Sequence, residues 1–251
     1  MDPRIKLIIE KERKGKASAL NKILERYKGE YLFLIPGDVI PAKNSLPQLL
    51  NLLTSSSEIG VVCGKPVPVN TKNGFMGYLS HLMWRMHNRT LLYLDSLALN
   101  THVSGELMLM KPIIKKIPAD VINEDAYIGI IATSRNLRTR YCSDATVYIK
   151  APSNVVDFIK QRRRIIYGHY RVKSLTGKFS PTLQSMATLN SNKTVRIVAD
   201  EIKEHPKDIF KFILAIGLEA TANILGVADL LFRREHILWK RVDSTKKRVS
   251  S

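Results

Sequence analysis

The stretch YLFLIPGDVIP, residues Tyr31–Pro41, joins an unbroken apolar run to a turn. A run of five apolar residues that ends at Pro36-Gly37 is typical of a short strand that is buried on both faces of a parallel sheet. Ligands of open α/β sheets bind just outside the carboxyl ends of the strands. Asp38 follows this strand, so it is a candidate ligand for Mg²⁺ or Mn²⁺ held against substrate phosphates. An ordinary turn aspartate is the alternative.

Strand and helix patterns alternate on both sides of this stretch. Short apolar runs predict strands and apolar residues at helical spacing predict helices. This alternation over 251 residues favours an α/β sheet with flanking helices. The predicted strands are Lys6–Glu10, Tyr31–Ile35, Ile59–Gly64, Val103–Met110 and Thr139–Ile149. The predicted helices are Ala17–Tyr27, Ser45–Leu53, Phe75–Tyr93, Asn123–Arg135 and Asn154–Tyr170.

The chain is strongly basic, with a formal net charge of +18. From Phe158 to Ala199 there are nine lysines or arginines and no acid. Such an excess suits nucleic acid, an anionic membrane face or phosphorylated small molecules. The sequence has no recognisable helix-turn-helix, RRM or zinc pattern, and its basic helix lacks interleaved aromatics for base stacking. We therefore expect no nucleic-acid partner and favour a membrane surface.

An apolar segment near the end, Asp208–Arg233, is about long enough to cross a bilayer. It carries Lys211, Glu219 and Asp229, and each charge costs about 2.5–3.5 kcal/mol at mid-membrane. An interfacial or partly inserted helix is therefore favoured, with a soluble core helix as the alternative. We predict a catalytic core over residues 1–180 and a membrane-associated helical segment over 181–251. The protein would lie at the cytoplasmic face, either peripherally or through one embedded C-terminal helix.

Three further motifs carry chemistry. RKGKASALN (Arg13–Asn21) is a basic turn before a helix, which suits a diphosphate. Asn123-Glu124-Asp125 begins a predicted helix, where one carboxylate can act as a general base or simply cap the helix. QRRRI (Gln161–Ile165) places arginines where they can neutralise phosphate oxygens.

Taken in order, these segments resemble family-two glycosyltransferases, an inverting group with a GT-A fold. That family reads R-x-GKA-x-ALN, a strand ending in D-x-D, an acceptor strand containing Ser or Gly, an ED pair and Q-x-x-RW. The resemblance covers nearly the whole chain, from about Ile5 to Lys247. The matches are Arg13–Asn21, Asp38, Ser104-Gly105, Glu124-Asp125 and Gln161–Arg164, and the tail LWKRVDSTK (Leu238–Lys246) looks like the end of membrane-bound members.

The resemblance implies roles for these residues. Asp38 would be the metal ligand, Asp125 the catalytic base and Glu124 its support. Lys16 and Asn21 would lie at the donor, Ser104 and Gly105 on the acceptor strand, and Gln161 and Arg164 at the acceptor side or the diphosphate. The implied reaction is an inverting, metal-dependent transfer from a nucleoside diphosphate sugar to a lipid-linked or saccharide acceptor.

Three departures from the family pattern stand out. Pro36 replaces the first carboxylate of D-x-D, and Ile165 replaces the tryptophan of Q-x-x-RW. The family also opens with a strand–helix–strand unit that carries a base-recognising aspartate, and no segment here matches it. We therefore expect an incomplete GT-A (Rossmann-like) sheet with an exposed edge. The chain would then be a fragment, be completed by a partner, or act as an inactive membrane-associated binding protein.

Overall fold

A five-stranded mixed sheet forms the centre of the computed structural model, which describes residues 2–183, 185, 191–232, 234 and 242–245. The strands are β1 (Leu32–Leu34), β2 (Ile40–Pro41), β3 (Ile59–Pro68), β4 (Met108–Met110) and β5 (Arg138–Ile149). Their order is β1-β4-β3-β5-β2. Only β3 and β5 pair in parallel, and the other three pairs are antiparallel. The α/β class is thereby confirmed.

Helices cover both faces of the sheet. In chain order they are α1 (Lys16–Arg26), α2 (Ser45–Thr54), α3 (Gly74–Ser96), α4 (Glu124–Ser134), α5 (Val155–Thr176), α6 (Ser191–Glu204) and α7 (Ile209–Leu231). Leu49 and Leu53 of α2 pack on one face of the sheet, whereas α3 and α4 bury the other face. Cys63 and Cys142 are buried and form no disulfide.

Three strand predictions need correction. The run around Leu32 is not inside a parallel sheet, because β1 has three residues, lies at the edge and pairs antiparallel with β4. Residues 5–10 form no strand. The strand predicted from Val103 begins only at Met108, because residues 105–107 turn and bend before it. The partners of β1 and β4 are distant in sequence, so the local apolar pattern did not determine their pairing.

β3 and β5, with 10 and 12 residues, are the longest strands of the sheet and pair along most of their length. Its register shifts between Cys63 and Lys65, next to Gly64. A Cβ on Gly64 would lie 2.4 Å from the carbonyl oxygen of Ala145, so only glycine permits this close approach. β3 continues past this glycine to Pro68, four residues beyond the predicted end.

The C-terminal helices pack back onto the core. Glu201 of α6, whose side chain is 1% exposed, forms ion pairs with Arg85 and Arg89 of α3. α7 packs against α5. Within the described residues, one helix is long and apolar enough to cross a membrane by length and composition, Pro206–Leu231 with mean hydropathy 1.6. The tail motif Leu238–Lys246 lies outside the described residues except for 242–245, and the division at residue 180 stays a prediction.

Candidate active site

Two carboxylates lie in the first turn of α4. Glu124 is 4% exposed and forms an ion pair with Lys16. The Oδ2 atom of Asp125 accepts a hydrogen bond from the Gly105 backbone N–H at 3.1 Å, and its Oδ1 accepts from the Ala126 N–H at 2.7 Å. The bond to Ala126 lies within the first turn of α4, whereas the bond to Gly105 comes from a separate segment. Asp125 is therefore held in one orientation by donors from two segments.

Lys16 enters this cluster as the first residue of α1. Gly15 precedes it with φ +91°, a left-handed conformation that glycine adopts at little cost. Burial alone would lower the pKa of Lys16, but the carboxylates of Glu124, Asp125 and Glu106 outweigh it, so this pKa is raised. Burial raises the pKa of Glu124 and the Lys16 ammonium opposes that rise. The family motif around α1 thus places a cation directly on the ED pair.

The turn before β4 surrounds Asp125 from the other side. A Cβ on Gly105 would lie 2.9 Å from the Oδ2 atom of Asp125, so the absence of a side chain lets the two segments meet. Ser104 is buried and its hydroxyl donates to the carboxylate of Glu106. Burial raises the pKa of Glu106, and the Ser104 hydrogen bond opposes that rise. We missed Glu106 from sequence, although its position directly after Ser104-Gly105 was the available signal.

Arg164 of α5 completes the cluster. Burial lowers the pKa of Arg164 to about 10, against the opposing effect of Glu124, Asp125 and Glu106. Asn123 keeps α5 close, because its Nδ2 atom donates to the Ile165 carbonyl at 2.9 Å. Gly168 leaves the space for this contact, since a Cβ there would lie 2.3 Å from the Asn123 Oδ1 atom. Asn123 directly precedes α4 but makes no side-chain cap on it.

The two arginines that precede Arg164 contact α7 and not the carboxylates of α4. Arg162 binds Glu219 of α7 with Nε–O distances of 2.9 and 3.0 Å, and Arg163 binds Asp229 at 2.6 and 3.0 Å. Gln161 lies one turn before Arg164, half-buried, and makes no hydrogen bond within the described part of the chain. Only Arg164 therefore joins the carboxylates, and a substrate contact of Gln161 stays a prediction.

Two predicted site residues lie outside the cluster of charges. Asn21 uses its side-chain amide on the Ile117 backbone, donating to its carbonyl at 2.8 Å and accepting from its N–H at 2.7 Å. This clamp fixes the loop before α4, and a substrate contact of Asn21 remains a prediction. Asp38 lies in an exposed turn after β1.

The donor set at Asp38 limits what kind of metal it can hold. Across the described ranges, no group of three or more His, Cys, Asp or Glu side chains has a metal-binding arrangement. Mg²⁺ is commonly held by one or two carboxylates together with substrate phosphates. A single exposed carboxylate fits a divalent ion that arrives with a diphosphate, not a metal resident in a protein cage.

Three histidines line up beside the cluster, and sequence spacing gave no hint of them. The ring of His102 lies 5.8 Å from that of His87 and 5.6 Å from that of His169, centroid to centroid. The Nδ1 atom of His102 is 2.6 Å from the Ser180 hydroxyl. Burial lowers the pKa of both His87 and His169 to about 3, so these imidazoles are neutral at physiological pH.

Comparison with known proteins gives one family match and a similar fold. Residues 1–117 match the family model described as Glycosyl transferase family 2, and no curated protein matches the chain significantly. The fold is similar to that of mannosyltransferase PcManGT from Pyrobaculum calidifontis, solved in complex with GDP-Man and Mn²⁺. The TM-score is 0.58 at 19% identity, covering 92% of this chain and 70% of that chain. Lys16, Asp38 and Gly105 lie within the part of the chain that matches the family-two glycosyltransferase model, and the fold is GT-A-like.

Proposed function

We propose that the chain transfers a sugar with inversion, using Asp125 as the base that accepts the proton of an acceptor hydroxyl. The observation that carries this proposal is the double anchoring of Asp125 by the Gly105 and Ala126 N–H groups. Both donors are backbone groups, so they orient the carboxylate without competing for a proton. A base held in this way is suited to one direction of approach by the acceptor.

The bond changes balance around Asp125. The acceptor oxygen bonds to the anomeric carbon while the bond from that carbon to the phosphate oxygen breaks. The hydroxyl proton passes to the Asp125 carboxylate, and the nucleoside diphosphate leaves with the bonding electron pair. Glu124 supports the base by holding Lys16 beside it.

Lys16 and Arg164 are the cations placed to stabilise the diphosphate. The negative charges of Glu124 and Asp125 favour the protonated, cationic form of both side chains. Positive groups aimed at a developing negative charge lower the barrier most where water is excluded, and both side chains are partly buried. Asp38 would hold Mg²⁺ or Mn²⁺, which supplies further positive charge to the phosphates when bound.

The donor and acceptor classes follow from different observations. GDP-mannose is the first donor to test, because the structurally similar mannosyltransferase was solved with GDP-Man and Mn²⁺. A lipid-linked acceptor is supported by the exposed apolar surface of α7, which packs on the helix that carries Arg164. A saccharide acceptor is the alternative. The same surface supports a location at the membrane face.

The test is release of nucleoside diphosphate by the detergent-purified chain, supplied with GDP-mannose, UDP-glucose or UDP-N-acetylglucosamine plus Mn²⁺. We expect Asp125→Asn to lower the turnover rate by roughly 10²–10⁴-fold while donor binding by calorimetry is retained. Asp144→Asn is the control, because Asp144 is an exposed carboxylate on β5. An Asp125→Asn variant with the parent rate would refute the assignment of the base.

A binding protein without turnover is the second candidate, favoured by one observation. Pro36 stands where the family has the first D-x-D carboxylate, so Asp38 is the only acid of that motif. Metal-dependent nucleotide binding that Asp38→Ala abolishes, with no transfer from any donor, would support this alternative.

A further inference from the structure

We propose that the outward face of α7 is a docking surface for an anionic lipid leaflet, with the helix lying in the plane of the membrane. This inference rests on the membrane location proposed above. It adds the face that binds, the orientation of the helix and the charge of the lipid.

The outward face of α7 is apolar except for Thr221, whose hydroxyl donates to the Gly217 carbonyl of the same helix. Its large side chains are strongly exposed, with Phe210 at 79%, Ile224 at 70% and Leu231 at 77%. The face consists of Phe210, Ile213, Leu214, Ile216, Ile224 and Leu231. A helix of 23 residues extends this surface over about 34 Å. An apolar patch of this extent marks a surface that binds a partner.

The inward face of α7 combines apolar residues, such as the buried Phe212 and Ala215, with the acidic residues of the helix. Glu219 and Asp229 point towards α5, where Arg162 and Arg163 pair with them. The Asp229 side chain is 1% exposed. A surface helix of a soluble protein places its apolar stripe inward and its charges outward. α7 also packs apolar residues inward, but it turns its acids inward and leaves an apolar face outward, which matches a helix whose outer medium is hydrocarbon.

The ion pairs favour an in-plane helix over a spanning one. Glu219 is near the middle of α7, so a spanning helix would carry it and Arg162 to mid-membrane. The rest of α5, including Lys160 and Arg171, would be drawn towards the hydrocarbon with them, at high cost. An in-plane helix buries only its outer face at the boundary between headgroups and acyl chains. The ion pairs then stay on the protein side.

The charges around α7 select the kind of lipid. Lys203 and Lys207 are exposed before the helix, and Arg234 is exposed after it. The whole chain carries a formal net charge of +18. Basic residues next to a membrane surface are attracted by anionic headgroups, and salt weakens that attraction. The docking surface therefore fits a leaflet that contains acidic phospholipid.

Flotation with preformed vesicles tests the surface. We expect the full chain to float with vesicles of phosphatidylcholine mixed with phosphatidylglycerol, and less with phosphatidylcholine alone or at high salt. Replacing Ile213, Ile224 and Leu231 together by serine should lower the bound fraction roughly tenfold. The matched control replaces Leu7, Val156 and Val195, which are similarly exposed but lie off α7. Equal losses in both triple variants, or equal binding to both lipids, would overturn the proposal.

Labelling from outside the vesicle tests the orientation independently. Lys207→Cys and Arg234→Cys place one thiol at each end of α7, and the native Cys63 and Cys142 are buried. An in-plane helix leaves both new thiols open to a membrane-impermeant maleimide. Protection of one end only would mean that α7 spans the bilayer, which contradicts the proposal.

Neither measurement depends on catalysis. Vesicle binding without sugar transfer would leave the docking surface standing and count against the proposed reaction. Sugar transfer without vesicle binding would support the proposed reaction and count against the docking surface. The two proposals therefore fail separately.

Discussion

The contact between Gly168 and Asn123 sets how closely α5 approaches the carboxylates of α4. The Asn123 amide donates to the Ile165 carbonyl, and Gly168 leaves no side chain in its way. Arg164 lies directly before Ile165 on the same helix. The absence of a side chain at Gly168 thus sets how closely the helix that carries Arg164 approaches Asp125.

We expect Gly168→Ala to displace α5, because the added Cβ would lie 2.3 Å from the Asn123 Oδ1 atom. The free energy of unfolding should fall by about 1–3 kcal/mol, and sugar transfer should fall with it. Chemical denaturation and the nucleotide-release assay measure the two effects. Gly217→Ala is the control, because nothing lies within 4 Å of its added Cβ. Equal stability of both variants would contradict this account.

At the residue scale, sequence patterns predicted the members of the cluster better than their partners. The ordered motifs identified Lys16, Glu124, Asp125 and Arg164, which the structure brings together. They did not predict that Asn21 clamps the Ile117 backbone. A motif records which residue type occupies a position, whereas a hydrogen bond across 96 residues depends on the packing of the whole chain.

At the element scale, ion pairs connect the C-terminal helices to the core with different degrees of burial. Asp229 of α7 is 1% exposed beside Arg163, whereas Glu204 of α6 is 56% exposed beside Arg89. Exposed pairs contribute little because water screens both charges. A buried pair is costly to break because the remaining charge has lost its partner.

We therefore expect Asp229→Asn to lower the free energy of unfolding by about 3 kcal/mol. Glu204→Gln, the exposed counterpart, should change it by less than about 1 kcal/mol. Denaturant titration of the detergent-solubilised chain, followed by far-UV circular dichroism, gives both values. A larger loss in Glu204→Gln would show that burial does not decide the strength of these pairs.

Whole elements were predictable where a helical or strand period persisted for several turns or pleats. The helix predicted at Asn154–Tyr170 begins at Val155 after an Asn154 cap that accepts from the Asp157 N–H at 2.9 Å. The strand predicted at Thr139–Ile149 matches β5 within one residue. Position in the sheet was not predictable, because β1 finds its partner β4 more than 70 residues later.

At the scale of the whole molecule, the buried histidine row couples stability to pH. Unfolded histidines take up a proton near pH 6.5. In the folded chain His87 and His169 have pKa values lowered to about 3 by burial. The unfolded state therefore binds more protons between these values, so the free energy of unfolding decreases as the pH falls below about 6.5.

At pH 5 the expected loss is about 2 kcal/mol for each of these two histidines. Thermal unfolding at a series of pH values should show the decline, and His87→Phe or His169→Phe should flatten it. His205→Gln, which changes a part-exposed histidine on the surface, should leave the slope as it is. A slope that is unchanged in both buried variants would assign the acid sensitivity to other groups.

Three successive arginines of α5 contact three different acidic sites. Successive residues of an α-helix point about 100° apart, so Arg162, Arg163 and Arg164 address three separate neighbours. Two of them pair with acids of α7, and the third lies beside the carboxylates of α4. Inserting one residue before Arg162 would turn all three away from their partners at once. The rotation of α5 about its axis, as much as its composition, therefore determines how α7 and the Glu124–Asp125 cluster are positioned relative to each other.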